Sequence, residues 1–330
     1  MLFKRIKILV LKALLKFFNK VSLHSHFKAT IKKTLGKLNS LSVSSVISDF
    51  KEITKMRLAI SVVFSSLAGY LLGVETVNLK ILILLAFGGY FMVGASNAFN
   101  QIIEKDLDAL MDRTKNRPIP AGRMSVNTAF VIASIFTLLG IIILYNINKQ
   151  TAMFGAISIF LYTSVYTPLK TKTPLAVFVG AIPGAIPFML GWVAATDDFG
   201  IEPGTLFALQ FFWQFPHFWS IGWFLFEDYK KGGFFMLPTG KQDKGTVVQV
   251  IMYTVWTILV SIMPVFRFTG RLHLSIVSAC VVFVLGLGML FYGIQLFKKM
   301  TTKAAKELML ASVSYITLVQ IVYVIDKFIR

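Results

Sequence analysis

Asn100, Glu104 and Asp108 recur at intervals of four residues, and Asp112 extends the series by one step. On a helix that spacing stacks side chains along one slowly turning stripe. Asp106 adds a further acid, and Arg113, Lys115 and Arg117 follow at once. The run begins where a long apolar segment ends, so its acids stand at the rim of a lipid layer if that segment spans one. Carboxylates there are costly unless something neutralises them, which marks them as functional by default. A row of oxygen ligands with cations beside it suits Mg²⁺ bridged to a phosphorylated ligand. Mg²⁺ usually takes one or two carboxylates together with substrate phosphate oxygens. Arginine grips such oxygens through its planar fork. A solvated acidic loop is the plainer reading, but it leaves unexplained the four-residue spacing and the start at an apolar end.

Three further stretches carry polar chemistry. Glu227-Asp228-Tyr229-Lys230-Lys231 leads into Gly232-Gly233 and Pro238, which mark a turn. By itself it is a charged loop; beside the first stretch it becomes the second half of a clamp. Lys170 and Lys172 sit in the short loop Tyr166–Pro174, where they either follow the charge bias of membrane loops or reach a diphosphate. Gln214 and His217 lie among the aromatics of Phe211–Trp219. They read either as satisfied polar groups between helices or as the lining of a pocket for a flat aromatic ligand. The chain has no phosphate-binding GxxxxGK[ST] loop, no CxxC and no HExxH.

The elements that must hold these residues are membrane spans. The chain is 56% hydrophobic, its mean hydropathy is +0.72, and a spanning helix needs about 20 mostly apolar residues. Nine segments qualify, near 58–75, 80–103, 126–147, 152–167, 174–196, 204–226, 247–266, 272–296 and 305–325. The expected fold is all-α, a multi-pass bundle of about nine transmembrane helices around a central cavity. The net charge of +19 is then no nucleic-acid footprint. With the N-terminus cytoplasmic, 28 Lys/Arg fall on the inner side and 6 on the outer, the positive-inside pattern. Both acidic loops land on the cytoplasmic side. They lie about 120 residues apart, which suggests a repeated four-helix unit with a ninth helix added. Gly180, Gly184 and Gly191 in the fifth span allow close helix approach. Pro183, Pro187 and Pro216 kink spans where neighbours or a cavity satisfy the freed backbone.

Residues 1–48 form a basic amphipathic extension, expected on the anionic inner leaflet of a bacterial plasma membrane. A mitochondrial transit peptide, and with it the mitochondrial inner membrane, is the rival. Residues 1–45 carry nine Lys and one Arg, against the Arg-rich habit of such peptides. Residues 49–330 form the transmembrane domain. The lone Cys280 permits no intrachain disulfide and is expected as a small buried apolar residue.

Asn100-Gln-Ile-Ile-Glu-Lys-Asp-Leu-Asp108 and Met111-Asp-Arg-Thr-Lys-Asn-Arg-Pro118 together resemble the first aspartate-rich motif of the UbiA-type intramembrane prenyltransferases. Tyr166-Thr-Pro-Leu-Lys170, Trp213-Gln-Phe-Pro-His-Phe-Trp219, and Glu227-Asp-Tyr229 leading to Met236-Leu-Pro238 resemble the haem-farnesylating branch, in consistent order over roughly 50–325. The resemblance implies transfer of a farnesyl group from farnesyl diphosphate to haem b, with water added, giving haem O and diphosphate. It implies Mg²⁺ held by Asn100, Glu104, Asp106 and Asp108, with Asp228 from the second motif. Asn100, Glu104, Asp108 and Asp228 would be catalytic, and Arg113, Arg117, Lys170 and Lys172 would bind diphosphate. Gln214, His217 and Tyr229 would line the substrate pocket. The lipid bilayer is the surrounding partner, haem A synthase a further one, and nucleic acid none. Departures stand beside it: the second motif lacks the repeated Asp, and Thr54-Lys-Met-Arg57 has Met56 where the family usually has proline. Alternatives are a UbiA-type enzyme acting on an aromatic quinone precursor and a non-catalytic haem carrier or transporter.

Overall fold

The computed structural model describes residues 43–330, and every regular element among them is helical. The basic segment read at 1–48 therefore lies, up to residue 42, outside the described residues. From Val43 the chain is helical to Ile53. The chain divides after Glu52 into two units, the second being Ile53–Arg330.

That second unit holds nine long helices: α1 Met56–Gly73, α2 Leu79–Ile103, α3 Val126–Tyr145, α4 Lys149–Phe160, α5 Leu175–Thr196, α6 Ile201–Phe224, α7 Lys244–Ile262, α8 Ile276–Lys299 and α9 Thr302–Ile329. Six start at a side chain that accepts a backbone N–H of the first turn: Asn78, Ser125, Asn148, Asp243, Ser275 and Thr301. Such caps satisfy donors that the helix itself leaves unpaired. Eight segments, α1–α5 and α7–α9 with their short extensions, are long and apolar enough to cross a membrane. The other is α6, where Glu202, Gln210, Gln214 and His217 dilute an aromatic helix. Its 24 residues reach about 36 Å, a full membrane crossing. The protein is an integral multi-pass membrane protein.

Its surface and interior are arranged for lipid. Leu138, Ile142, Val284 and Phe291 are exposed on the helix exteriors, while Thr254, Thr257, Ser261, Ser312 and Gln320 are buried. Cys280 corrects its expectation: it is exposed on α8. In a spanning helix a small apolar thiol is as well solvated by acyl chains as by a core.

Helices α1–α5 pack in sequence, with α1 closing on α5, and α6–α9 pack in sequence, with α6 closing on α9. Helices α5 and α6, and α1 and α9, join the two groups. The α1–α5 crossing is held at backbone distance: a Cβ on Gly191 would stand 1.9 Å from the Ser66 carbonyl oxygen. Ser66, Met92, Ser96, Ser158 and Pro187 surround a small cavity of about 40 Å³ inside the first group.

Helices α2 and α6 end alike. Glu104 (φ −92°, ψ 8°) and Leu225 (φ −104°, ψ 14°) each break the helix for one residue. Short helices, Lys105–Asp108 and Phe226–Lys231, follow. The two acid-bearing segments thus leave their spans through the same local geometry.

Candidate active site

The end of α2 carries the first cluster. Glu104 N–H donates to Asn100 O at 2.9 Å and Asp108 N–H to Glu104 O at 2.7 Å, so helical register survives the break. Asn100, Glu104 and Asp108 therefore share one face, and all three are buried. The series stops there. Thr114 Oγ1 donates to the Asp108 carbonyl at 2.8 Å as the chain turns away. Asp112 is exposed and pairs with Lys115 and Lys231. Hydrogen bonds from those lysines hold its carboxyl down to about 2. Asp106, on the far side of the turn, is 86% exposed and pairs with Lys105.

Each buried carboxylate meets a cation. Lys170 Nζ donates to Glu104 Oε1 at 2.7 Å, and Arg117 Nη1 to Asp108 Oδ2 at 2.7 Å. Burial pushes the Lys170 ammonium down, but Glu104 outweighs it and holds the group above the ordinary lysine range. The Lys170 ammonium also lies 4.6 Å from the Tyr166 ring centroid and 5.5 Å from that of Phe234. Asp108 Oδ1 is buried and has no hydrogen-bond partner among the described residues. An unsatisfied carboxylate oxygen in such a place costs on the order of 1–3 kcal/mol or more.

Lys170 reaches the cluster through a local distortion. After α4 the chain runs as a π-helical turn, Leu161–Tyr166, and then the short helix Thr167–Leu169. Such turns shift register and gather at functional sites. Thr167 Oγ1 accepts from Asn100 Nδ2 at 3.2 Å and donates to the Tyr162 carbonyl at 2.8 Å. Lys172, two residues beyond Lys170, is exposed.

The second loop closes over the first. Asp228 accepts the backbone N–H of Asp112 at 2.7 Å and of Arg113 at 3.3 Å. Arg113 lies over the Tyr229 ring, 5.9 Å from its centroid. Phe235 N–H donates to the Lys170 carbonyl at 2.7 Å. In this structure Asp228 ties the loops together through backbone bonds. Gln214 lies deeper: its Nε2 donates to Ala181 O at 2.9 Å and Gln210 O at 3.2 Å. A Cβ on Gly184 would stand 1.9 Å from its Oε1, so Gln214 fills the notch between α5 and α6. His217 is half-buried and stacks on Trp213.

Sequence reasoning missed Lys55. It takes a left-handed conformation (φ 46°, ψ 54°) just before α1. The strain is held by two amides of α2: Gln101 Nε2 donates to Ile53 O at 2.9 Å and Asn97 Nδ2 to Thr54 O at 3.3 Å. Burial, then the positive charges of Arg117 and Lys170, push the Lys55 ammonium down to about 7. The signal lay in Thr54-Lys-Met-Arg57, where Arg57 is exposed instead.

A family model described as the UbiA prenyltransferase family matches residues 62–316. The chain belongs to the UbiA prenyltransferase family. A relative from Christiangramia forsetii, named protoheme IX farnesyltransferase, is 74% identical over 287 residues, 87% of this chain and 96% of its own length. Another of that name, from Flavobacterium psychrophilum, is 71% identical over 291 residues, 87% of this chain and 97% of its own. The structure of a UbiA homologue from Archaeoglobus fulgidus bound to GPP and Mg²⁺ matches with a TM-score of 0.62 at 15% identity, over 83% of this chain and 99% of that one. The structure of a digeranylgeranylglyceryl phosphate synthase matches with a TM-score of 0.71 at 17% identity, over 85% and 98%. These likenesses establish the UbiA fold, and the protein is a prenyltransferase enzyme.

Among the described residues, no three His, Cys, Asp or Glu side chains converge to hold a metal by themselves. Glu104 and Asp108 with the Asn100 amide would leave several positions to ligand oxygens, as Mg²⁺ prefers. The orphaned Asp108 Oδ1 is what such an ion would satisfy, so the residues fit it.

Lys55 gives this UbiA-family site a pH signature. Its folded value is depressed, so between about pH 7 and the ordinary lysine value the unfolded chain holds more protons. Stability therefore rises with pH across that window, and below it both states carry the charge. An anion entering the cluster restores the charge. Binding of inorganic pyrophosphate to the purified protein at pH 8 is expected to take up close to one proton more in wild type than in Lys55→Met. Calorimetry in two buffers of different ionisation heat measures this, and equal uptake removes Lys55 from the site.

Proposed function

We propose that this prenyltransferase transfers the farnesyl group of farnesyl diphosphate to a vinyl group of haem b and adds water, giving haem O and diphosphate. The observation that carries the reading is identity above 70% to protoheme IX farnesyltransferases over nearly their whole length. The site's chemistry agrees with it.

The C–O bond of farnesyl diphosphate breaks, leaving an allylic cation and a diphosphate that gathers negative charge. Lys170, Arg117, Arg113 and Lys55 would meet that charge, and fixed cations aimed at developing charge lower the barrier. A Mg²⁺ ion held by Asn100, Glu104 and Asp108 would neutralise phosphate oxygens as the leaving group departs. Lys170 and Arg117 would turn toward phosphate as their carboxylates turn toward metal. Tyr166, Phe234 and Tyr229 keep water from the cation until the vinyl carbon attacks. The new cation, next to the macrocycle, is captured by water, which loses a proton. His217 would contact haem from α6.

The sequence pattern supports a basic extension over 1–48 ahead of a transmembrane domain over 49–330. The charge bias supports both acid-bearing loops on the cytoplasmic side, and one Arg among nine Lys in residues 1–45 favours a bacterial plasma membrane. A host lacking haem O is expected to accumulate haem O when it carries this chain, and extracted pigments report it. Membranes treated with EDTA should lose the activity and regain it with Mg²⁺. Accumulation of a prenylated phenol in place of haem O would overturn the substrate assignment.

A further inference from the structure

Ser312, in the interior of α9, holds both His217 and Trp213 of α6. The Trp213 indole N–H donates to the Ser312 carbonyl at 2.6 Å. His217 Nδ1 lies 2.9 Å from Ser312 Oγ. The two α6 rings stack, their centroids 4.8 Å apart and their planes 17° from parallel. Phe218 stands edge-on to the imidazole, with centroids 5.5 Å apart.

The serine hydroxyl bears on the protonation of the ring. Its one proton has two acceptors in reach, Met309 O at 2.7 Å and His217 Nδ1 at 2.9 Å. With that proton on the shorter bond to Met309 O, Ser312 Oγ accepts from His217, and Nδ1 carries the imidazole proton. Nε2 then bears a lone pair, and it makes no hydrogen bond among the described residues. Ser312 is fully buried, so water does not compete for its hydroxyl.

A neutral imidazole with one nitrogen tied to an acceptor and the other left as a lone pair is the arrangement of a metal-ligating histidine. The metal this enzyme meets is the iron of its substrate. We propose that His217 Nε2 donates its lone pair to the haem iron as an axial ligand, and that Ser312 is the positioning residue that fixes its tautomer and direction. The proposal rests on the haem-farnesylating reading. It adds that the macrocycle is oriented by its iron, and so gives α9 a part in presenting the vinyl group.

The test titrates ferric haem b into the full-length detergent-solubilised protein and reads the Soret band and the electron paramagnetic resonance of the iron. Wild type should show imidazole ligation. His217→Ala should lose that signature, and added imidazole should restore it. Ser312→Ala keeps the carbonyl that Trp213 uses, so the α6–α9 contact survives. It should weaken haem affinity about tenfold or more, the usual effect of removing a partner behind a metal ligand. Ser312→Thr should restore it. Pyrophosphate binding should be unchanged in all three variants, which shows them folded.

Haem spectra that ignore His217 overturn the ligand assignment. Spectra and affinity that ignore Ser312→Ala overturn the positioning role. Normal haem O production with either result leaves the reaction reading intact. A wild-type protein that binds no haem and makes no haem O sinks that reading and this one together.

Discussion

Asp108→Asn is expected to abolish prenyl transfer, lowering kcat at least about a thousandfold, while leaving folded protein in the membrane. Asparagine keeps the side chain's shape and one carbonyl oxygen, so Arg117 retains an acceptor for the bond that Asp108 Oδ2 now receives. What disappears is the charge on a fully buried carboxylate whose Oδ1 has no partner among the described residues. If Oδ1 is a metal ligand, its loss removes charge from the point where the leaving group is neutralised. Removing a single preorganised donor of that kind already costs on the order of 10²–10³ in kcat. The change should fall on kcat and on Mg²⁺ dependence more than on the thermal midpoint, because the Arg117 bond survives. Initial rates against Mg²⁺ concentration in reconstituted membranes measure both. A variant that keeps a tenth of wild-type activity would reduce Asp108 to a structural partner of Arg117.

The same cluster shows what a sequence can and cannot disclose. The stripe Asn100, Glu104, Asp108 was legible because a helical period and an apolar flank are local signals, and backbone bonds carry the register through the break at Glu104. Asp112 fell out of the stripe because Thr114 turns the chain at the Asp108 carbonyl. Spacing alone does not contain that bond. The nine helices were legible from hydropathy to within a few residues at most ends, including α6, whose polar side chains sit in a strongly aromatic helix.

Other residues needed tertiary information. Lys55 joins the cations only because Asn97 and Gln101 of α2 hold the preceding carbonyls while Lys55 takes a left-handed turn. Thr167 and Lys170 depend on a π-helical turn that no composition signal announces. Gln214, polar within a span, read either as a satisfied group between helices or as the lining of a pocket. Its partners are the Ala181 and Gln210 carbonyls, and the space it fills is the missing side chain of Gly184. Ser312 gave no sign at all, since a serine in a helix of this kind is ordinary until its hydroxyl is found between Met309 and His217.

Lys170→Met is expected to unfold the protein more readily than any other single change at the site, and a second substitution separates stability from catalysis. Lys170 and Glu104 are both buried, and 2.7 Å apart they neutralise one another. Methionine keeps the apolar stem against Tyr166 and Phe234 but strands a carboxylate beneath them. Breaking a buried pair on one side typically costs about 3–5 kcal/mol, because the remaining charge is uncompensated. Glu104→Gln added to Lys170→Met removes the stranded charge, and the thermal midpoint of the double variant should return most of the way to wild type. Turnover should not return. If the pair served folding alone, as many buried ion pairs do, the double variant would regain both together. If Lys170 holds diphosphate and Glu104 holds metal, both functions are gone however well the helices pack, and diphosphate affinity should remain at least about tenfold weakened. Thermal midpoints and initial rates for the four members of this cycle decide the matter. The informative corner is the double variant, where restored folding must coincide with absent chemistry for the pair to be counted part of the active site.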